Sequence, residues 1–377
     1  MIYLDYSATT PVIKDVLDSF NVVCNDYFGN PNSLHSLGIK SYELLKSARK
    51  QVCELLNIED SELTFTSSST ESNNMALIGV ALKKKNFGNH IIVSKLEHPS
   101  IYSICNYLSS IGFDISYVNN DSEGLIDLED LKNKMTDKTI LVSICGVNSE
   151  IGVRQPLRTI KQVITKVNKD CLLHSDLTQA LGKIKINLND VDLATMSSHK
   201  IYAPRGLGVL YKKSNVSISP ILYGTNNSLE IGTPPLALIV SFAKALRLIL
   251  SDTLEKEENI KECYKLLDEG LKKYPDIKIN RSKYCIEQIY NISLTCIKSE
   301  TFIHAMEKHN IFISSNTACS KGSISTSVMA LYNDKVRAST TLRISISYLT
   351  TPKEIEEFLY YFDLEYNNLR DLVKGEK

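Results

Sequence analysis

The stretch CLLHSDLTQALGKIKINLNDVDLATMSSHK, residues 171–200, holds two strand-like runs, CLLHSD (171–176) and VDLATMSS (191–198). Each run ends where chemistry becomes available. Asp176 closes the first, and His199-Lys200 follows the second. Moving outward, short apolar runs recur at ELTFT (62–66), HIIVSK (90–95), DISYV (114–118), TILVSI (139–144) and LGVLYK (207–212). Segments of helical length and spacing separate them at 70–85, 99–111, 127–135 and 155–168. Strand and helix alternating in this way predict an α/β fold: a mainly parallel seven-stranded sheet with helices on both faces. Ligands bind such sheets at the carboxyl ends of the strands, where His98, Asn148, Asp176 and Lys200 all fall. After helical stretches at 234–250 and 255–273, strands are expected around IEQIYNISLTC and LRISIS. A helix at 300–309 and a last one near 353–372, with Ile355, Phe358, Leu359, Phe362, Tyr366 and Leu369 on one face, complete a smaller α+β unit. The expected division is a large domain over 13–250 and a small one over 251–377, with residues 1–12 packing near the latter.

Length supports that division, because 377 residues exceed the roughly 250–300 at which one core stops growing. The 43 basic and 43 acidic residues balance, which argues against a surface dominated by nucleic-acid binding. No apolar stretch reaches the roughly 18 residues of a membrane span, and MIYLDYSATTP lacks a signal-peptide pattern, so a cytoplasmic protein without membrane partners is expected. The nine cysteines are scattered and form no CxxC, so no metal site is expected of them. Cys145 and Cys171 sit in apolar runs and read as small buried hydrophobes.

Lys200 and Asp176 suit a Schiff base with pyridoxal phosphate, in which a carboxylate keeps the ring nitrogen protonated and the ring withdraws electrons. They read equally as an ordinary buried ion pair. SSSTESNN (67–74) opens a helix, so Ser69 and Thr70 serve either as caps or as phosphate donors at a helix N-terminus. His98 is a loop histidine or a group that stacks on a ring and moves protons. Asn148 and Glu150 share that edge, and Gln179 lies three residues beyond Asp176. Cys319 lies in SSNTACSKGSISTS (314–327), whose small polar residues predict a mobile loop with an exposed thiol. Arg343 heads LRISIS, where a guanidinium can grip a carboxylate by two parallel bonds.

Together these pieces resemble the IscS/NifS-type cysteine desulfurases, in the class V aminotransferase group of fold-type I pyridoxal phosphate enzymes. YLDYSATTP (3–11), FGNPNSLHSLG (28–38), FTSSSTESNN (65–74), SKLEHPS (94–100), VNSEIG (147–152), HSDLTQALGK (174–183), SSHKIYAPRGLG (197–208), SSNTAC (314–319) and LRISIS (342–347) occur in the family's order. The resemblance implies Lys200 as the Schiff-base lysine, Asp176 as partner of the ring nitrogen, and His98 as the stacking acid–base group. It implies Gln179 and Asn148 near the phenolic oxygen, and Ser69, Thr70, Ser197 and His199 around the phosphate, completed by Thr233 from a second subunit of a homodimer. Arg343 is implied to hold the carboxylate of L-cysteine, with Asn148 beside the substrate. Cys319 is implied to take its sulfur as a persulfide for an acceptor protein, either an iron–sulfur scaffold or a tRNA-thiolation relay. Alanine leaves.

The chain also departs from the family. ILYGTNNSLEIGT (221–233) replaces a glycine-rich stretch, with Glu230 where an arginine is usual. Gly146 and Ser149 stand where His and Asn are common, and SSST, SSNTAC and SSHK each lack a usual glycine. Such a loss matters where the backbone needs φ > 0. A selenocysteine lyase, an aminotransferase, or a degenerate homologue serving as a scaffold subunit are the alternative readings.

Overall fold

The structure, a computed structural model, describes residues 1–224, 229–315 and 324–375. Its strands are β1 (Ile2–Tyr3), β2 (Leu63–Thr66), β3 (His90–Ser94), β4 (Asp114–Val118), β5 (Thr139–Ser143), β6 (Leu172–Asp176), β7 (Leu193–Ser197), β8 (Gly208–Lys212), β9 (Lys278–Ile279), β10 (Ile289–Ser293), β11 (Ile311–Phe312) and β12 (Thr341–Ser345). The seven apolar runs build one sheet in the order β2-β8-β7-β6-β5-β3-β4. Strands β2, β3, β5 and β7 are buried along their whole length, because helices cover both faces. Four neighbouring pairs run parallel, whereas β8 is antiparallel to both β2 and β7. Only residues 198–207 join β7 to β8, too few for the dozen or so that a parallel crossover needs, so the chain doubles back. That reversal wraps His199 and Lys200 around the carboxyl end of β7.

The helices at Ser69–Lys84, Pro99–Ser110, Leu128–Lys134, Leu157–Val167, Leu236–Leu250, Thr253–Leu271, Ser299–Glu307 and Pro352–Gly375 lie where spacing predicts them. Two helices without a predicted counterpart, Lys14–Asp26 and Ser36–Leu56, pack on Leu236–Leu250. Two apolar cores cover the sheet faces. A third joins Ile2 and Leu4 to residues of the C-terminal part, including Tyr290, Phe302, Phe358 and Phe362. There β12-β10-β9 forms an antiparallel sheet, and β1 pairs with β11, tying the N-terminus to this unit. Among the described residues no helix is long and apolar enough to cross a membrane.

The polar segment 314–327 is described only at its two ends, and the second end enters a helix. Ser325 caps the helix Thr326–Tyr332 by accepting from the Val328 N–H, and its hydroxyl donates to buried Glu150. Cys319 lies outside the described residues. The missing glycines bring no left-handed strain where the chain is described. No residue of 67–70 or 197–200 has a positive φ, and Ser68 itself is extended at −169°.

Candidate active site

The carboxyl ends of the parallel strands open into a cavity of about 340 Å³ bordered by Ser69, Thr70, His98, Asp176, Gln179, Ser197, His199, Lys200 and Arg343. Nine of the eleven described residues singled out in the sequence therefore meet in one place. Lys200 ends the short turn Ser198–Lys200. Its Nζ donates to the carbonyls of Ser7 and Ala8, the latter at 2.7 Å. Two residues on, Tyr202 has φ of 68°, a strained conformation for an aromatic residue. Burial, a Tyr202–Ser347 hydrogen bond and packing on Tyr348 hold it there.

Asp176 is bonded by both oxygens: Asn73 Nδ2 donates to Oδ2 at 3.0 Å and the Thr178 N–H to Oδ1 at 2.9 Å. Thr195 in β7 donates to Asn73 Oδ1 at 2.6 Å, which orients the amide with its NH₂ toward the carboxylate. The same NH₂ reaches Ser100 Oγ, itself 2.9 Å from His98 Nδ1. His98 caps the helix Pro99–Ser110, its Nδ1 accepting from the Ser100 N–H at 3.2 Å. A ring nitrogen that accepts carries no proton, so the neutral ring bears its hydrogen on Nε2. Burial lowers the His98 pKa; Asp176 opposes the shift and Lys200 adds to it. Glu97, directly before it, is fully buried, with Oε1 accepting from the Cys145 N–H at 2.6 Å.

Ser68 caps the helix Ser69–Lys84, leaving Ser69 and Thr70 in its first turn, where free N–H groups and the helix dipole favour an anion. Gly208 makes this approach possible. A Cβ there would lie 2.3 Å from the Ser68 carbonyl carbon. His199 faces Thr9 through Nδ1 at 3.1 Å, and burial, with Lys200 and Arg205 nearby, pushes its pKa down to about 4. It meets an anion as a neutral donor.

Arg343 is 1% exposed. Its Nη1 donates to the Ser149 carbonyl at 3.0 Å and its Nη2 to Asp5 Oδ1 and Ser314 Oγ at 2.8 and 2.9 Å. The Nε has no partner among the described residues. Asn148 does not border the cavity. Its Nδ2 donates to the Leu96 carbonyl and Ser327 Oγ, while its Oδ1 accepts from the N–H groups of Glu150 and Ile151, so it braces the edge from behind. Thr233 is exposed and stands away from the cavity of its own chain. Glu230 turns inward, where Oε1 accepts from Arg49 Nη1 at 2.6 Å and from the Phe65 N–H of edge strand β2 at 2.8 Å. Among the described residues no cluster of His, Cys, Asp and Glu is arranged to hold a metal ion.

Asp5, Ser7 and Asn73 escaped the sequence reading. Asn73 had a signal: with Asn74 it stands inside a helix, where asparagine is unfavourable unless it has a task. Asp5 and Ser7 had none, since their partners lie hundreds of residues away.

Comparison with known proteins accords with this geometry. Residues 2–358 match the family described as aminotransferase class-V. The chain is 37% identical over 377 residues to a "NifS/IcsS protein homolog" of Lactobacillus delbrueckii subsp. bulgaricus, covering 98% of each. It is 34% identical to "Cysteine desulfurase IscS" of Clostridium botulinum, covering 95% of this chain and 92% of the relative. A solved structure titled "NIFS-LIKE PROTEIN" superposes with a TM-score of 0.91 at 30% identity, covering 98% of this chain and 99% of the other. With the matched sequence, the shared fold and the amine, carboxylate and helix N-terminus around one cavity, the chain belongs to the class-V aminotransferases, among the cysteine desulfurases of NifS/IscS type.

Proposed function

We propose that this chain, with pyridoxal phosphate, removes sulfur from L-cysteine, releases L-alanine and takes the sulfur on Cys319 as a persulfide for an acceptor protein. The observation that carries the reading is the gathering of Lys200, Asp176, His98, Arg343 and a helix N-terminus around one cavity. Its volume, about 340 Å³, falls within the roughly 300–1,000 Å³ of small-molecule sites.

The residues fit the cofactor group by group. Lys200, on a rigid turn at the sheet edge, is the amine that would hold it covalently. Asp176, bonded on both oxygens, is an acceptor for a protonated ring nitrogen. The first turn of Ser69–Lys84, with Ser197 and neutral His199, offers donors to a phosphate. When bound, pyridoxal phosphate supplies the electron sink that accepts the pair released at the substrate α-carbon.

The chain's own groups do the rest. Arg343 would receive the substrate carboxylate with its fork of donors, in exchange for contacts now made to Asp5 and Ser314. His98 stays neutral near pH 7, with Nε2 carrying the proton and Nδ1 held by Ser100, which suits it to relay protons at the cavity wall. Cys319, as thiolate, forms an S–S bond while the substrate's carbon–sulfur bond breaks. Cysteine and thiol become alanine and persulfide, so no outside oxidant enters. Thr233, exposed and away from its own cavity, suits the role of serving a second copy's phosphate site. An iron–sulfur scaffold and a tRNA-thiolation relay both offer the thiol or cluster chemistry that a persulfide donor needs.

The test is release of alanine and sulfide from L-cysteine under a reductant, comparing the parent with Cys319→Ser and Lys200→Ala. Equimolar products lost in both variants are expected. A protein that stays colourless and inactive with added pyridoxal phosphate overturns the reading.

A further inference from the structure

The groups described so far leave one partly buried basic residue beside the site without a task. Lys183 ends the turn that follows β6, and its Nζ donates to Gln179 Oε1 at 2.7 Å. The other end of that amide, Nε2, donates to the Ser7 carbonyl at 2.8 Å. A backbone carbonyl only accepts, so the NH₂ end must face Ser7, and Oε1 is left to accept from Lys183, whose amine can donate in either protonation state. Its NH₂ end faces the cavity side, where the Ser7 carbonyl also accepts from Lys200. One N–H of that NH₂ goes to Ser7, and the second has no partner among the described residues.

The turn that presents Lys183 is tightly specified. Gly182 has φ of +72°, and a Cβ there would lie 2.6 Å from Ile249 Cγ1. Only glycine therefore fits between β6 and the helix Leu236–Leu250, and the next residue leaves the turn in one direction. Lys200, Arg343 and His199 act electrostatically on Lys183 from the cofactor side, and Asp190, Glu287, Arg154, Arg158, Lys185 and Lys283 border the open cavity on its other side. No carboxylate is paired with it among the described ion pairs. Dense packing, with Lys200 and Arg343 adding to it, pushes its pKa down to about 7, even though the side chain keeps some contact with solvent. A cation kept there at this cost, with an amide oxygen as its acceptor, is not explained by packing alone.

We propose that Lys183 is a positioning residue for the bound cofactor: it locks the Gln179 amide so that an N–H faces the cofactor's phenolic oxygen. The inference rests on the pyridoxal phosphate reading above. A hydrogen bond to the phenolate favours the charged form, and losing it moves the protonation equilibrium upward. Without Lys183 the amide oxygen loses its partner and only the bond to the Ser7 carbonyl remains, so the amide plane can swing about that one bond and the second N–H loses its aim.

The test uses the full-length protein loaded with pyridoxal phosphate and reads the pH midpoint of the cofactor's visible absorption. Lys183→Met is expected to raise the midpoint by about one unit. Lys183→Gln, which keeps a donor for Gln179 Oε1 without the charge, is expected to stay within about 0.3 units of the parent. It also keeps the test open should the methionine variant not fold. In a Gln179→Leu background, Lys183→Met should add no further shift. Parent-like titration of Lys183→Met, an equal shift in Lys183→Gln, or an undiminished shift without Gln179 each overturns the positioning role while leaving the desulfurase reading intact. A parent protein that takes up no cofactor absorbance overturns both.

Discussion

Replacing Glu97 with glutamine should change how stability depends on pH, and the size of the change can be worked from the site. Glu97 is fully enclosed; Oε1 accepts from the Cys145 N–H and Oε2 has no partner among the described residues. Burial, with Asp176 adding to it, pushes its pKa up to about 8. In the unfolded chain the same carboxyl titrates near 4.3. Between those values the folded protein holds a proton that the unfolded chain has released, so stability falls as pH rises through this window and levels off above pH 8. From pH 5 to 8 the shift spans roughly two and a half units at about 1.4 kcal/mol each, or about 3.5 kcal/mol lost. Glutamine keeps the acceptor for Cys145 and cannot ionise. Its NH₂ leaves donors unsatisfied, at a cost of about 1–3 kcal/mol that does not vary with pH. Urea denaturation of parent and Glu97→Gln at pH 5 and 8 cancels that constant. The variant should gain roughly 3.5 kcal/mol on the parent between the two pH values. A difference that is the same at both, within about 0.5 kcal/mol, would refute the buried neutral acid and imply an ionised, solvated or paired Glu97.

Two further substitutions test the scaffold of the site. Gly208→Ala sets a methyl group 2.3 Å from the backbone of Ser68, which has no room to retreat between β8 and the helix start. A loss of about 1–3 kcal/mol in thermal unfolding is expected, with cofactor retention weakened at least about tenfold in a visible-absorption titration. Glu230→Ala removes the acceptor shared by Arg49 and the Phe65 N–H of an edge strand. It should cost about 1–2 kcal/mol in urea, and a change below about 0.3 kcal/mol would mean that the pair is screened by solvent.

The seven strands of the main sheet were legible as short apolar runs separated by segments of helical length; most are buried along nearly their whole length, whereas the edge strand β4, with only Val118 buried, shows itself by its place in the alternation. Helices Lys14–Asp26 and Ser36–Leu56 escaped because both pack on the distant helix Leu236–Leu250, and only a minority of the residues of Ser36–Leu56 are buried. Asp176, Lys200 and Arg343 could be read because their chemistry narrows their uses at a strand end. Arg343 was expected to await a carboxylate, and in the structure Asp5 already supplies one. Glu230, which reads as a lost arginine, holds Arg49 and the edge of the sheet.

The sequence by itself determined the seven strands of the main sheet, most of the helices between and after them, and hence which end of the sheet collects the reactive residues, because periodicity and turn length act within a few tens of residues. Only the tertiary structure decided how those residues are already engaged. Asp5 and Arg343 are separated by 338 positions, and Gln179 finds Ser7 across 172. Pairings at such distances follow from packing the two sheets and the N-terminal strand together, and no local pattern encodes them. The same packing turned Asn148 away from the cavity and aimed Lys183 at an amide, through hydrogen bonds that exist only once the chain has closed.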